Sequence, residues 1–588
     1  MIYTVSLCVL FVSVFGSEEW TSGQKYRYNW PEPSYSLLGK FRKAATTSDN
    51  GLCSEIGRDI LIKGGNAVDS SIASLFCLGV TNPQSSGIGG GFIMTIYNRT
   101  TQRANVIDAR ETAPASATKD MFKGDELLSK YGYKAIGVPG ELHGYYLAYT
   151  KYGSGKVSWK ELVMPAVELS RNGIGISEYL GDVLKIKEAH FRTLPSMQGW
   201  LNNATNKVWV HGDILKRPEL ANTLEKIADS KDPVHLFYHG EIADIIIKEI
   251  QENGGILTKA DLQNYKPVEY DTPLSNDHFH EDLVMVGPPP PASFTVVQLL
   301  ISIMSNIYKD SPNRNPEYLY NSPEFYHNFI EASKFAYAQR TLLGDVDFVP
   351  ESKFLSQNLT TKEYSKWILD RVRKFSQNTS YYGGIDQFQK ADHGTSHVST
   401  LDSEGNGVSA TSTINRWFGA VVQSPTLGIV WNDEMDDFST IGLVNGFGFA
   451  PSETNFIAPG KRPMSSMSPM VIYNKTSGDV KMVVGASGGS KIISAMSKAI
   501  VRNLIFGESI KQAIDSPTLH NQFTPDITQY EIPVPSELTK DLEKKYNQKF
   551  KITTGFEGIV QCVVAENDGY IYANGDYRRK ANQHPEGL

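Results

Sequence analysis

Asp392-His393-Gly394-Thr395-Ser396-His397-Val398-Ser399 is the stretch on which the reading turns. A threonine hydroxyl is a poor nucleophile until a base removes its proton. Cutting the Gly394–Thr395 bond would give Thr395 a free α-amine. With a pKa of about 7.7–8.0, that amine is a usable base at neutral pH on the same residue as the hydroxyl. Gly394 has no side chain, which lets its carbonyl be approached closely and strained. Two residues alone are only suggestive, because Gly-Thr pairs are common. Immediately downstream, residues 398–401 and 408–414 are short runs rich in Ser, Thr and Val. Asp402-Ser403-Glu404-Gly405-Asn406-Gly407 between them is turn chemistry. The two runs predict a hairpin whose first strand begins at Thr395.

Further out, β signals dominate the last third and helical patterns alternate with short strands in the first two thirds. Residues 53–64 read as a helix stopped by Gly64 and Gly65, and Asn66 as the cap of a second helix. Gly287-Pro288-Pro289-Pro290-Pro291 is a break before an apolar helix over 296–307. Residues 480–484 read as a strand and Gly485-Ala486-Ser487-Gly488-Gly489 as a tight turn. Ser490 then caps a helix with Ile493, Met496, Ile500 and Leu504 on one stripe and Gly507 as its stop. Residues 17–45 are polar and Pro-containing, an extended lead-in, and no internal repeat is present.

The chain has 588 residues, 40% of them apolar and 21% charged, as in ordinary globular proteins. Its net charge of −7 and pI of about 6.0 argue against broad nucleic-acid binding, which needs a basic face. Residues 2–15 are a mostly apolar run followed by Gly16, with Val14 two positions earlier, which suits signal cleavage before Ser17. The run is short for a membrane span. No Lys or Arg precedes it, so an uncleaved anchor that keeps the protein at the cell surface is the alternative to secretion. Of four cysteines, Cys8 leaves with the signal, and Cys53 and Cys77 can then pair in an oxidising compartment. The loop they close is worth roughly 3 kcal/mol. Cys562, in an apolar run, reads as a buried free thiol. Asn98, Asn203, Asn358, Asn378 and Asn474 each open a glycosylation sequon, in keeping with export.

Three signals point elsewhere and are set aside. Ser86-Gly87-Ile88-Gly89-Gly90-Gly91 looks like a phosphate-cradling loop, but it follows an apolar helix and no Lys-Ser/Thr comes after it. It reads as backbone turning where side chains do not fit. His393 and His397 could suggest a metal pair, yet loop-then-strand spacing does not converge them, and no metal or cofactor is expected. Asp433, Glu434, Asp436 and Asp437 would, alone, be a solvated acidic turn.

Taken together, the motifs resemble the γ-glutamyltransferase family, the glutathione hydrolases. The resemblance is carried by Gly394-Thr395-Ser396-His397, Ser409-Ala410-Thr411-Ser412-Thr413-Ile414-Asn415 and Asn432-Asp433-Glu434-Met435-Asp436-Asp437-Phe438-Ser439. Pro459-Gly460-Lys461-Arg462-Pro463-Met464-Ser465-Ser466-Met467, Gly485-Ala486-Ser487-Gly488-Gly489 and Leu519-His520-Asn521-Gln522 extend it. So do Gly87-Ile88-Gly89-Gly90-Gly91, Asp108-Ala109-Arg110-Glu111-Thr112-Ala113-Pro114 and Arg340-Thr341-Leu342-Leu343-Gly344-Asp345. The match runs in order from about residue 45 to the C-terminus.

That resemblance implies an α/β N-terminal-nucleophile hydrolase fold, a four-layer α-β-β-α sandwich. It implies self-cleavage between Gly394 and Thr395 into a large subunit (17–394, after a signal at 1–16) and a small subunit (395–588). The two would remain one compact heterodimer. Thr395 would attack the γ-glutamyl carbonyl of glutathione and form an acyl-enzyme, with transfer to an amino acid, a dipeptide or water. Thr413 would orient the nucleophile's hydroxyl. Arg110 would grip the substrate's α-carboxylate, a charge-assisted bond suited to a guanidinium, with Ser465 and Ser466 adding hydroxyls. Glu434, Asp437 and Asn415 would receive the α-ammonium, which reverses the bland reading of the acidic turn. Gly488 and Gly489 would hold the oxyanion at a helix N-terminus.

One departure touches no catalytic position. Vertebrate members carry a second cysteine pair that has no counterpart here, and Ser468 stands where some relatives have Cys. The competing readings are a catalytically dead secreted relative that acts by binding, and another N-terminal-nucleophile acylase. The first is opposed by retention of Thr395, Arg110 and Asp437. The second is opposed by the intact head-group set of Arg110, Glu434, Asp437, Ser465 and Ser466.

Overall fold

Strand alternation decides the layering. Along the Gly407–Asn415 strand, Val408, Ala410 and Ile414 join the apolar cluster of one outer helical layer. The residues between them face inward: Ser409 donates to the Val484 carbonyl of the opposite sheet (2.9 Å) and Thr411 bonds His397 (2.8 Å). The computed structural model describes residues 25–385, 394–441, 451–553, 555 and 558–588. Two seven-stranded sheets, antiparallel throughout, stack face to face. In spatial order the first holds Leu38–Phe41, Ile571–Gly575, Ile559–Ala565, Val480–Ser487, Met470–Asn474, Leu283–Gly287 and Leu274–His280. The second holds Glu586–Gly587, Ala45–Ser48, Gly394–Leu401, Gly407–Asn415, Gly91–Asn98, Arg103–Ala109 and Val268–Tyr270. Each sheet therefore interleaves strands from before and after the Gly394–Thr395 bond.

Val284, Val471, Val483 and Val563 of the first sheet meet Ala45, Tyr97 and Leu401 of the second. On the far side of the first sheet, Met482, Val484, Val560 and Val564 pack on the helices Phe294–Tyr308, Pro323–Arg340 and Lys491–Ile500. Beyond the second sheet lie the helices α1 (Gly51–Ile62) and α2 (Ala67–Thr81). Helix, sheet, sheet, helix is the expected sandwich.

Local expectations hold at the first two helices. α1 ends at Lys63, with Gly64 at φ +92°, and Asn66 caps α2 by accepting from Val68 N and Asp69 N. The Cys53–Cys77 disulfide staples the pair, its Cα atoms 5.4 Å apart. Cys562 is a buried free thiol. The predicted hairpin is present, its first strand opening at Gly394.

Two details differ. Gly485, Ala486 and Ser487 continue the strand, so only Gly488 and Gly489 turn. Ser490 occupies the cap position without capping, because its hydroxyl donates to Gln522 Oε1 instead (2.9 Å). The α-helix stops at Ile500 and a π turn follows over Val501–Ile505. That wider turn slips the stripe: Val501 and Ile505 are buried while Leu504 is only half-buried.

Asn98, Asn203, Asn358 and Asn378 are exposed and Asn474 is half-buried. The apolar run 2–15 and His393 lie outside the described residues. Among the described residues, no helix is long and apolar enough to cross a membrane.

Candidate active site

Four neighbouring strands of the second sheet end together. Gly394 pairs with Asn415, Thr413 with Gly91, and Phe92 with Ala109. Thr395 at the start of one strand and Arg110 just beyond the end of another thus share one end of the sheet. They lie three strands apart, about 14 Å at the usual spacing. The glycine-rich loop makes this approach possible. A Cβ on Gly90 would lie 2.0 Å from the Thr413 carbonyl oxygen, and one on Gly91 would lie 2.5 Å from that of Ala109. No side chain fits, which is the turning role read from the sequence.

The chain is continuous through Thr395, which is buried. Thr413 Oγ donates to the Gly394 carbonyl and accepts from Asn415 N (2.8 Å). In the continuous chain its proton is therefore held by the carbonyl before Thr395 and not by the Thr395 hydroxyl. Asn415 Nδ2 donates to the Asp433 carbonyl (3.0 Å), which ties this strand end to the acidic turn.

That turn is buried. Asp433, Glu434 and Asp436 are each less than 5% exposed. Arg110 Nη2 donates to Glu434 Oε1 and to Asp437 Oδ2 (3.2 Å), and Nη1 lies 3.5 Å from Glu111. Three carboxylates around one guanidinium leave an excess of buried negative charge. Burial pushes the Glu434 carboxyl well above its usual range despite Arg110, and pushes Glu111 up to about 7. Arg110 Nε and Nη1, Glu434 Oε2 and Asn415 Oδ1 are buried without a hydrogen-bond partner among the described residues. The site therefore holds unmet donors for an anion beside unmet acceptors for a cation.

The 460–467 segment reaches this end through Ala113 N to the Lys461 carbonyl (2.9 Å) and Gly460 N to the Ala113 carbonyl (2.8 Å). Ser465 Oγ accepts from Met467 N (3.2 Å) and Ser466 Oγ from Arg340 Nη2 (3.3 Å). Neither hydroxyl bonds Arg110 among the described residues. Gly488 and Gly489, at φ +112° and +60°, turn the first sheet's Val480–Ser487 strand into the Lys491–Ile500 helix. Such angles suit glycine.

One group at this site escapes a sequence reading. Arg579 Nη2 donates to the Thr395 carbonyl, to Ser487 Oγ (2.7 Å) and to Asp49. Asp49 also accepts from Ser487 Oγ (2.8 Å) and Gln561 Nε2 (2.9 Å). This buried cluster clamps the two sheets together, tying Thr395 to Ser487, the residue before the Gly488–Gly489 turn. His397 is fully buried as well: its ring bonds Thr411 and Ser399 (3.0 Å), and burial lowers its pKa to about 3.

The stacked antiparallel sheets, with Thr395 opening a central strand, define an N-terminal-nucleophile hydrolase fold. A solved structure of cephalosporin acylase from Bacillus halodurans shares the architecture at a TM-score of 0.79 and 21% identity, covering 95% of this chain and 98% of that one. Residues 53–585 match the family model for gamma-glutamyltranspeptidase, and the chain belongs to that family. It is 37% identical to glutathione hydrolase 2 of Arabidopsis thaliana over 89% of both chains. It is 39% identical to scoloptoxin SSD14 of Scolopendra dehaani over 93% of both. The chain is an enzyme of the glutathione hydrolase class.

Proposed function

We propose that the protein is a secreted, self-cleaving γ-glutamyltransferase acting through an acyl-enzyme on Thr395. In the precursor, Thr395 Oγ attacks the Gly394 carbonyl, whose oxygen the Thr413 hydroxyl polarises. The Gly394–Thr395 C–N bond breaks as the hydroxyl's proton passes to the Thr395 nitrogen, and water then hydrolyses the resulting ester, leaving Thr395 with a free amine and its hydroxyl restored at the head of the small subunit. That amine takes the hydroxyl's proton when Thr395 attacks a γ-glutamyl amide, and the proton passes to the departing amine. The oxyanion faces the Gly488–Gly489 backbone. An amino acid, a dipeptide or water then takes the γ-glutamyl group.

The observation that carries this reading is the shared sheet end: the Gly394–Thr395 bond lies at the same end of the second sheet as a buried cluster whose unmet groups match an amino-acid head group. Arg110 receives the α-carboxylate, and Glu434, Asp437 and Asn415 the α-ammonium. Ser465 and Ser466 contribute after their hydroxyls turn from their present partners. The test is the purified protein on a γ-glutamyl anilide with and without a dipeptide acceptor. Turnover that the dipeptide accelerates supports transfer, and no turnover refutes the reading. N-terminal sequencing of secreted material should show that residues 1–16 are gone. Retention of Met1 with sedimentation on membranes would replace secretion by anchoring.

A further inference from the structure

Next to the scissile bond sits a group of cations that the chemistry above does not use. Arg416 follows Asn415 directly. A Cβ on Gly394 would lie 2.7 Å from the Arg416 backbone carbonyl, so the two residues are in contact. The Arg416 guanidinium lies 5.2 Å from the centroid of the Tyr131 ring and donates to its hydroxyl (3.5 Å). The Lys187 ammonium lies 5.5 Å from the same centroid, and the His190 ring stacks on it at 4.8 Å. Lys187 and His190 come from the helix Glu178–Thr193. The face of that helix carrying them also carries Tyr179, whose hydroxyl accepts from Trp417 (2.8 Å) and whose ring underlies the Arg579 guanidinium. One helix face thus runs from the clamp on Thr395 to Arg416.

The charges here do not balance. Lys187 is only 6% exposed, yet it makes no hydrogen bond and no ion pair among the described residues. Arg416 Nη1 is buried without a hydrogen-bond partner, its nearest carboxylate being Asp433 at 3.7 Å. Asp433 is itself pushed toward its neutral form by burial. Asp433 and the more distant Asp436 are the carboxylates acting on Arg416, no ion pair reaches Lys187 among the described residues, and burying a cation without a close counter-ion is costly.

We propose that Lys187 and Arg416, gathered on Tyr131, form a carboxylate site for the dipeptide on the far side of the γ-glutamyl bond. It takes the C-terminal carboxylate of the leaving dipeptide during acylation and that of an accepting dipeptide during transfer. This rests on the γ-glutamyltransferase reading. The reach fits. With the γ-carbonyl where the Gly394 carbonyl lies, a dipeptide spans at most about 7 Å to its carboxylate, a distance comparable to the arginine side chain's own.

The test compares glutathione with its C-terminal carboxamide as donors, and glycylglycine with its amide as acceptors. The readout is the acid-to-amide ratio of kcat/KM within each protein, so general losses of activity divide out. Wild type should favour the acids by about tenfold or more, the scale of one charge-assisted hydrogen bond. Arg416→Leu and Lys187→Met should each bring the ratio within about threefold of one, as a missing charge partner predicts. A ratio near one in wild type, or an unchanged ratio in both variants, overturns the site. A γ-glutamyl anilide, which carries no carboxylate there, reports separately on the enzyme. If wild type fails on it, the glutamyltransferase reading falls and takes this inference with it. If it turns over while the ratio is near one, only the cation site falls.

Discussion

Replacing Thr413 by valine keeps the side chain's shape and removes its hydroxyl. Two bonds go with it: the one donated to the Gly394 carbonyl and the 2.8 Å bond accepted from Asn415 N. The first acts on the carbonyl that would become an oxyanion during the proposed cleavage. Losing one such donor costs about 3–4 kcal/mol of barrier, or roughly 10²–10³ in rate. The second leaves a buried N–H unpaired at a cost of about 1–3 kcal/mol of stability, within what a folded domain tolerates. Thr413→Val should therefore fold, melt a few degrees lower and mature at least 100-fold more slowly. Thr413→Ser keeps the hydroxyl and should mature within about tenfold of wild type, since only packing changes. The assay is a time course of precursor and product bands on a denaturing gel, with a thermal melt as the control for folding. Maturation of the valine variant within threefold of wild type would show that polarising the Gly394 carbonyl plays no part, and the precursor mechanism would have to be rebuilt.

The mature small subunit should begin Thr395-Ser396-His397 on N-terminal sequencing and, as residues 395–588 of a 65.2 kDa chain, run near 21.5 kDa before any sugar at Asn474; Thr395→Ala should remain one inactive chain. Arg110→Lys should weaken substrate binding, because an ammonium cannot replace the planar fork. Combined with a substrate lacking the α-carboxylate, it should show coupling of about 1–3 kcal/mol in kcat/KM, and simple additivity would remove Arg110 from the head group. Asp49→Asn should cost about 3–5 kcal/mol, because it leaves the Arg579 cation without its buried counter-charge; an unchanged denaturant midpoint would count against the clamp. His397 is held neutral, its folded pKa about 3 against 6.5 when unfolded. Its contribution should be complete above pH 6.5 and fade as the pH falls toward 3, because the unfolded chain takes up the proton first. A His397→Gln variant should show a shallower acid limb in urea melts.

Periodicity and turn chemistry made the catalytic hairpin legible, since Asp402 to Gly407 separates two runs whose alternation survives in the structure. Capping chemistry did the same for Asn66. The acidic turn was not legible from residue types: Glu434 and Asp437 look solvated until Arg110, more than 300 residues earlier, is known to face them. Resemblance assigned these residues to the two ends of one substrate head group, and the structure shows that they also contact one another. The Arg579–Asp49 clamp spans 530 residues and belongs to no local pattern, so only the fold could bring it together. Leu504 misleads for a local reason, because a single π turn shifts the helical phase that the stripe assumed.

The interleaving of strands also fixes what can be undone. Ala45–Ser48 lies between Glu586–Gly587 and Gly394–Leu401, and in the continuous chain all three belong to one polymer. If the backbone is severed at Thr395 as proposed, the same arrangement would join two molecules by non-covalent forces alone. Heat or denaturant would then release two partners, and recovery would become a second-order encounter between incomplete sheets competing with aggregation. Durability of such a cleaved form would for that reason be a matter of unfolding rate, measured as a half-life, whereas the uncleaved precursor could still retrace its path.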